Sequence, residues 1–174
     1  MTTCPVLETE RLILRAHTLD DHESYCAMWQ DAEVLRYTIR EPRSPQDAWL
    51  TLQRTAGSWV LLGYGFWAVE WRETGEFIGE AGFMNALRPF ATEIHDTPEL
   101  GYGFRPAWWG RGVASEALTA AHGWYDAAFP GQMSFAIIDD DNPSSIRAAE
   151  KQGYMLDRHV ESGFGRPGLY LRAA

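Results

Sequence analysis

The chain has 174 residues, 45% of them hydrophobic, which suits one domain with a sizeable buried core and excludes a disordered segment. Fifteen Lys and Arg stand against 24 Asp and Glu, a net charge of −9 that argues against a broad nucleic-acid-binding face. A small anion site made of backbone N–H groups remains compatible with that balance, because those donors carry no formal charge.

Leu12, Leu14 and Ala16 alternate with Arg11, Ile13 and Arg15 and predict a first strand. Asp20 and Asp21 predict the start of a helix that carries Tyr25, Met28 and Trp29. Ser44, Pro45 and Asp47 then supply the cap, first-turn proline and acidic third position of a second helix, which runs to about Leu62 and ends at Gly63 and Gly65. Strands are expected at 66–71 and 76–84 around the turn Glu73-Thr74-Gly75. Residues 85–97 hold Pro89 and no period, and read as an irregular loop. A strand at 99–104 stops at Pro106. Val113, Ala117, Ala121, Trp124 and Ala128 repeat at helical spacing up to Pro130-Gly131. An apolar strand at 134–138 precedes a short helix that opens at Asn142-Pro143 and ends at Gly153. Strands at 154–161 and 169–172 close the chain, joined by the turn-rich 163–168. The order, β-α-α-β-β-β-α-β-α-β-β, predicts a mixed α/β sheet with helices on both faces.

Cys4 and Cys26 are too few for a disulfide framework and read as free thiols. Met1–Glu10 has neither a basic cluster nor an apolar run, so no signal peptide is expected. The longest apolar stretch, Trp59–Val69, is broken by Gly63 and Gly65 and is too short to span a membrane. The expectation is a cytoplasmic single domain over 1–174, a monomer or homodimer with no nucleic-acid or membrane partner.

Chemistry concentrates in Glu99-Leu-Gly-Tyr-Gly-Phe-Arg-Pro-Ala-Trp-Trp-Gly-Arg-Gly-Val-Ala114, a strand, a proline stop, a glycine turn and a helix start. Gly110 and Gly112 allow positive φ and close approach of a ligand. The first N–H groups of the following helix have no intrahelical partner, and they suit a diphosphate, with Arg111 adding charge beside it. The run lacks the Gly-Lys-[Ser/Thr] end of a Walker loop and the third glycine of a dinucleotide fingerprint. Gly101 and Gly103 lie inside the strand and predict a bulge or a close backbone approach. If that strand splays from its neighbour, an extended amide-bearing arm can pair with its edge. A diphosphate followed by an amide chain describes coenzyme A.

At this point the sequence resembles the GCN5-related N-acetyltransferase (GNAT) superfamily. Trp109-Gly-Arg-Gly112-Val-Ala114 is similar to its [Gln/Arg]-x-x-Gly-x-[Gly/Ala] loop, with Trp109 in place of the usual first residue. Leu7–Arg15, Asp31–Val34, Gly75–Gly79, Trp109–Ala117 and Asn142–Gly153 resemble, in order, the branch that acetylates ribosomal-protein N-termini (RimJ/RimL-type). The resemblance implies a mostly antiparallel sheet of six to seven strands with a splayed central pair.

It also implies an acetyl-CoA cosubstrate and direct transfer to an amine, with no metal. By position, the backbone at Tyr102 would polarise the thioester carbonyl, and the backbone at Phe104 would pair with the pantetheine arm. The side chains of both read as core. Gly110, Arg111, Gly112, Val113 and Ala114 would hold the diphosphate. Asn142 would cap its helix and touch the arm. Ser145 would serve the departing thiol, because Ala149 stands where the wider superfamily often has a tyrosine. Glu99 and Glu80 are candidate bases, and His95 and Asp96 candidates for the acceptor side. Glu116 and His122 read as structural. Arg147 and Lys151 could reach an outer phosphate, and Trp29 and Trp49 could line an acceptor pocket. The five histidines show no metal-ligand spacing. The acceptor is a primary amine, a protein or peptide N-terminus being one reading. An antibiotic or polyamine acceptor, or a catalytically silent acyl-CoA-binding protein, are the alternatives.

Overall fold

Leu12 and Leu14 are fully buried while Ile13 and Arg15 are only partly so, the pattern of a strand with one face on the core. In the computed structural model, which describes residues 3–38, 41–163 and 165–173, this strand is β2 (Leu12–Arg15). It joins β1 (Leu7–Glu8), β3 (Phe66–Trp71), β4 (Glu76–Met84), β5 (Glu99–Phe104), β6 (Ser134–Ile138), β7 (Met155–His159) and β8 (Gly168–Arg172). They form one eight-stranded sheet in the order β1-β2-β3-β4-β5-β6-β8-β7, antiparallel except where β5 meets β6. The two-residue β1, paired at Leu7–Leu14, adds a strand beyond the expected six or seven. Phe164, in the turn-rich 163–168, lies outside the described residues.

Among the described residues three α-helices precede β3: α1 (His22–Met28), the single turn α2 (Ala32–Leu35) and α3 (Pro45–Leu62). Ser44 caps α3 by accepting from the Asp47 N–H at 3.1 Å, and Gly63 ends it at φ +78°. Tyr25, Met28, Leu52 and Phe77 form the core between these helices and one face of the sheet. The other face carries α4 (Val113–Ala128), which packs on β2 and β4, and α5 (Pro143–Lys151), which packs on β6 and α4. Trp67, Phe83, Leu118 and Tyr125 anchor that larger core. Trp59, Trp67 and Trp124 close it with edge-on ring contacts at 4.6 to 5.3 Å. Among the described residues no helix is long and apolar enough to cross a membrane.

One junction in the sheet is incomplete. β4 and β5 pair from Gly79–Phe104 to Met84–Glu99, but β5 and β6 meet only at Glu99–Phe135. Beyond that pair the two strands diverge.

His122 of α4 sits in a buried polar chain, as its sequence position suggested. Its Nδ1–H donates to the Leu118 carbonyl at 2.7 Å, the Tyr154 hydroxyl lies 3.1 Å from Nε2, and Ser134 is 2.7 Å from Tyr154. Burial pushes the imidazole down from 6.5 to about 4. Between those values the unfolded chain binds a proton that the folded chain does not, so this group makes stability rise with pH across that window. His122→Gln should flatten the slope between pH 4 and 6.5, a contribution on the order of 3 kcal/mol when fully developed. Urea midpoints across that range test it, and an unchanged slope would assign the effect elsewhere.

Candidate active site

The divergence of β5 from β6 opens a cleft of about 620 Å³ lined by both strands and by the starts of α4 and α5. Strand alternation decides what faces it. The Arg105 N–H donates to Ile78 on β4, so odd-numbered β5 residues pair with β4. The N–H and C=O groups of Leu100, Tyr102 and Phe104 therefore point toward β6, where the ladder has ended. Phe104 is a partial departure from expectation: its carbonyl is taken by the Trp109 indole N–H at 2.7 Å, which leaves its N–H for a ligand. Trp109 thus supplies a donor at the position where the resembling loop usually has Gln or Arg.

Gly101 and Gly103 make no bulge, since β4 and β5 stay in register along their length. They admit rings instead. A Cβ on Gly101 would lie 2.6 Å from Phe66, and one on Gly103 would lie 3.4 Å from Trp29. Aromatic side chains therefore lie over the α1 face of β5 beside the free edge.

At the far end, Gly110 and Gly112 adopt φ +71° and +77°. No side chain caps α4, so the N–H groups of Val113, Ala114 and Ser115 are left for an anion. Gly110, Gly112, Val113 and Ala114 line the cleft, whereas the exposed Arg111 guanidinium stacks 5.1 Å from the Trp108 ring beside the loop. Arg147 and Lys151 of α5 line the cleft as well. The Asn142 Oδ1 accepts from the Ser145 N–H at 3.1 Å and caps α5, which leaves its amide nitrogen available.

Two polar groups meet on the α4 side. The Tyr102 hydroxyl lies 2.5 Å from the Ser145 Oγ. The Tyr102 side chain packs against the core, as read from the sequence, and alternation also brings its hydroxyl to α5. Burial holds its hydroxyl above the ordinary range, against the opposing effect of the Ser145 hydrogen bond, so the phenol stays protonated.

On the α1 side stand two carboxylates, held differently. Glu99 is buried and bidentate to Arg88, with contacts of 2.7 and 2.8 Å to both oxygens. Glu80 is also buried. Its Oε1 accepts from the Tyr25 hydroxyl at 3.2 Å and the Trp29 indole at 3.1 Å. Its Oε2 and both His17 ring nitrogens have no hydrogen-bond partner, although the two side chains approach to 3.4 Å. Arg43 donates to Tyr25 at 2.7 Å and stacks 4.4 Å over Trp29. His95 and Asp96 do not line the cleft. His95 instead braces the Arg88 carbonyl at 2.9 Å. Trp49 packs edge-on against His22, outside the cleft.

Several of these residues escaped sequence reasoning. Arg88 and Arg43 lie in segments without a period, where nothing signals direction. Tyr25 reads as a helix core position, and His17 as an isolated residue beyond a strand. Among the described residues no group of His, Cys, Asp and Glu is arranged to hold a metal.

The chain matches the family model of the acetyltransferase (GNAT) domain over residues 11–155. It is 32% identical over 154 residues to YoaA, an uncharacterized N-acetyltransferase of Bacillus subtilis, covering 88% of this chain and 84% of the relative. A GnaT-family acetyltransferase structure from Bordetella pertussis superposes with a TM-score of 0.86 at 30% identity, covering 97% of this chain and 99% of that one. RimL, a ribosomal L7/L12 alpha-N-protein acetyltransferase solved in complex with coenzyme A, shares the fold with a TM-score of 0.78 at 16% identity, over 97% of this chain and 98% of its own.

The glycine turn is held from outside the cleft by Glu116 and Arg11. Glu116 accepts from the Thr9 hydroxyl at 2.6 Å, the Arg11 N–H at 3.0 Å and the Arg11 Nε at 2.7 Å, while Arg11 also donates to the Arg111 carbonyl at 3.0 Å. Partial burial opposes the charge on Glu116, but these bonds outweigh it and hold the carboxyl below its usual range. Glu116→Ala removes the shared acceptor of Thr9 and Arg11 and should lower the urea midpoint by the equivalent of about 1–3 kcal/mol. A midpoint equal to wild type would show that the clamp contributes nothing.

Proposed function

The chain belongs to the acetyltransferase (GNAT) family, and from that premise we propose that it carries an acetyl group from acetyl-CoA directly to a primary amine. The observation that carries the reading is the open edge of β5 ending beside the uncapped start of α4. A diphosphate suits the N–H groups at Gly110, Gly112, Val113 and Ala114, with Arg111 adjacent as a charge. An amide-bearing arm suits the Phe104 N–H and the free amide of Asn142. The Tyr102 N–H is aimed at the position of a thioester carbonyl, where a fixed donor stabilises developing negative charge.

The proton accounts follow from the two faces of β5. The amine nitrogen forms the new C–N bond as the C–S bond breaks, and the departing sulfur needs a proton. Ser145 hydrogen-bonds to that sulfur and is itself hydrogen-bonded to the protonated Tyr102 phenol, and the sulfur takes its proton from solvent through that pair, which leaves both hydroxyls protonated. A thiol with a pKa near 8.5 is a fair leaving group, so modest acid help suffices. We place the acceptor of the amine's proton at Glu80 rather than Glu99, because Arg88 already occupies both Glu99 oxygens. At pH 7 a chain α-amine, with pKa near 7.8, is about a tenth neutral, whereas a lysine near 10.4 is almost wholly charged. That favours an α-amine, the acceptor class that RimL's description names. A protein N-terminus and a small molecule both offer one.

Calorimetry with acetyl-CoA tests the binding half, and absence of binding at millimolar coenzyme would remove the reading. Thiol release tests the chemistry. Ser145→Ala and Tyr102→Phe should each lower kcat about 10- to 100-fold while coenzyme affinity stays within about twofold. Equal turnover in both variants would end the proposed acid role.

A further inference from the structure

The acceptor end of the cleft has a charge pattern that narrows the amine it takes. Three glutamates line it, Glu33, Glu80 and Glu99, and so do three arginines, Arg43, Arg54 and Arg88. Two of the glutamates are already engaged, Glu99 by Arg88 and the Glu80 Oε1 by Tyr25 and Trp29. Arg43 and Arg54 make no ion pair with a carboxylate among the described residues, although the chain as a whole carries a net charge of −9. A groove for a polycation would be acidic; this one is balanced, with guanidinium groups to spare.

Arg43 is fixed where such a group would matter. Its guanidinium carbon lies 4.4 Å from the centre of the Trp29 ring, and it spends one N–H on the Tyr25 hydroxyl at 2.7 Å. Tyr25 passes its own proton toward the Glu80 Oε1 at 3.2 Å. A cation and a buried carboxylate therefore stand on either side of one phenol oxygen. Both side chains line the cleft, so one ligand that carries an ammonium and a carboxylate can meet both. Beside them Phe66, Met84 and Phe90 line the cleft with apolar surface.

We infer that the acceptor is a small zwitterion, an α-amino acid or close analogue with an apolar or aromatic side chain. Its ammonium lies on Glu80, its carboxylate on Arg43, and its side chain against Phe66, Met84 and Phe90. The inference rests on the acetyl-transfer reading above. A neighbouring carboxylate raises the basicity of an amine, so this acceptor arrives more fully protonated than a chain N-terminus. The proton leaves the ammonium for the Glu80 carboxylate, and the freed nitrogen then attacks the thioester carbonyl.

Thiol release with acetyl-CoA and four acceptors tests this: phenylalanine, phenylalaninamide, spermidine, and a neutral peptide with a free N-terminus. The amide's amine is the more easily deprotonated, so intrinsic reactivity favours the amide, and a preference for the acid has to come from the site. Phenylalanine should exceed each of the others by about tenfold or more in kcat/KM, the size of one well-placed charge-assisted contact. Arg43→Gln should raise KM for phenylalanine about tenfold more than it raises KM for the amide, and Arg43→Lys should recover part of that difference. Equal or better use of spermidine, the amide or the peptide by the unaltered protein overturns the inference, as does an Arg43→Gln effect equal on acid and amide. Calorimetric binding of acetyl-CoA separates the two claims. Coenzyme binding without preference for the acid sinks only this inference; no binding sinks the parent reading as well.

Discussion

The end of pairing between β5 and β6 beyond Glu99 is the constraint on which the site depends. A sheet interior normally leaves no N–H or C=O unmatched, because each such group costs about 1–3 kcal/mol when buried without a partner. Here the chain resolves one of them internally, with the Trp109 indole on the Phe104 carbonyl, and leaves the rest facing an open cleft. The same divergence separates the starts of α4 and α5, so that a glycine turn and an asparagine cap face each other across the gap. A fully zipped sheet would have had a better ladder and no room for an extended ligand.

The surroundings of the cleft are made rigid from behind. Arg11 and Glu116 tie the glycine turn to the chain ahead of β2, and Arg88 is tied to Glu99 and, through its carbonyl, to His95. Arg43, Tyr25, Trp29 and Glu80 form a third tie, with Tyr25 accepting from one charged group and donating to the other. The buried His17 beside Glu80 keeps unmatched nitrogens in apolar company, edge-on to Tyr25 at 5.6 Å and near Phe77. Such an arrangement costs folding free energy, and sites that act on protons are where proteins tolerate it.

Most of the fold was legible in the sequence because its signals are local. Ser44-Pro45 and Gly63 bound α3, Asn142-Pro143 and Gly153 bound α5, and the helical spacing of Val113 to Ala128 marks α4 within its observed limits. The strand at 154–161 came out shorter, as β7, because a bulge between Leu156 and Arg158 disturbs the edge and the chain turns after His159. Backbone elements of the site were legible for the same reason, since two glycines before a helix are a local statement. Its side-chain partnerships were not. Tyr102 with Ser145, Arg88 with Glu99 and Tyr25 with Glu80 join residues far apart in the chain, and only the register of the sheet brings them together. His95 and Asp96 were misplaced because an irregular loop gives no direction to its side chains, and neither lines the cleft.

The two faces of β5 also constrain how the reaction can run. Side chains alternate across a strand, so Tyr102 and its partner Ser145 lie on the α4 side, while Gly101 and Gly103 open the α1 side to Phe66, Trp29 and Glu80. On the proposed reading, proton donor and proton acceptor therefore never meet, and neither can quench the other across the cleft. That reading has the amine enter on the carboxylate side and the sulfur leave on the hydroxyl side, with the thioester carbon between them at the strand edge. No cysteine lines the cleft among the described residues, and burial pushes the Cys4 thiol up to about 12, away from thiolate. A route through an acyl-cysteine intermediate would need a thiolate in that gap. The strand provides backbone donors there instead, which suits direct attack of the amine on the thioester.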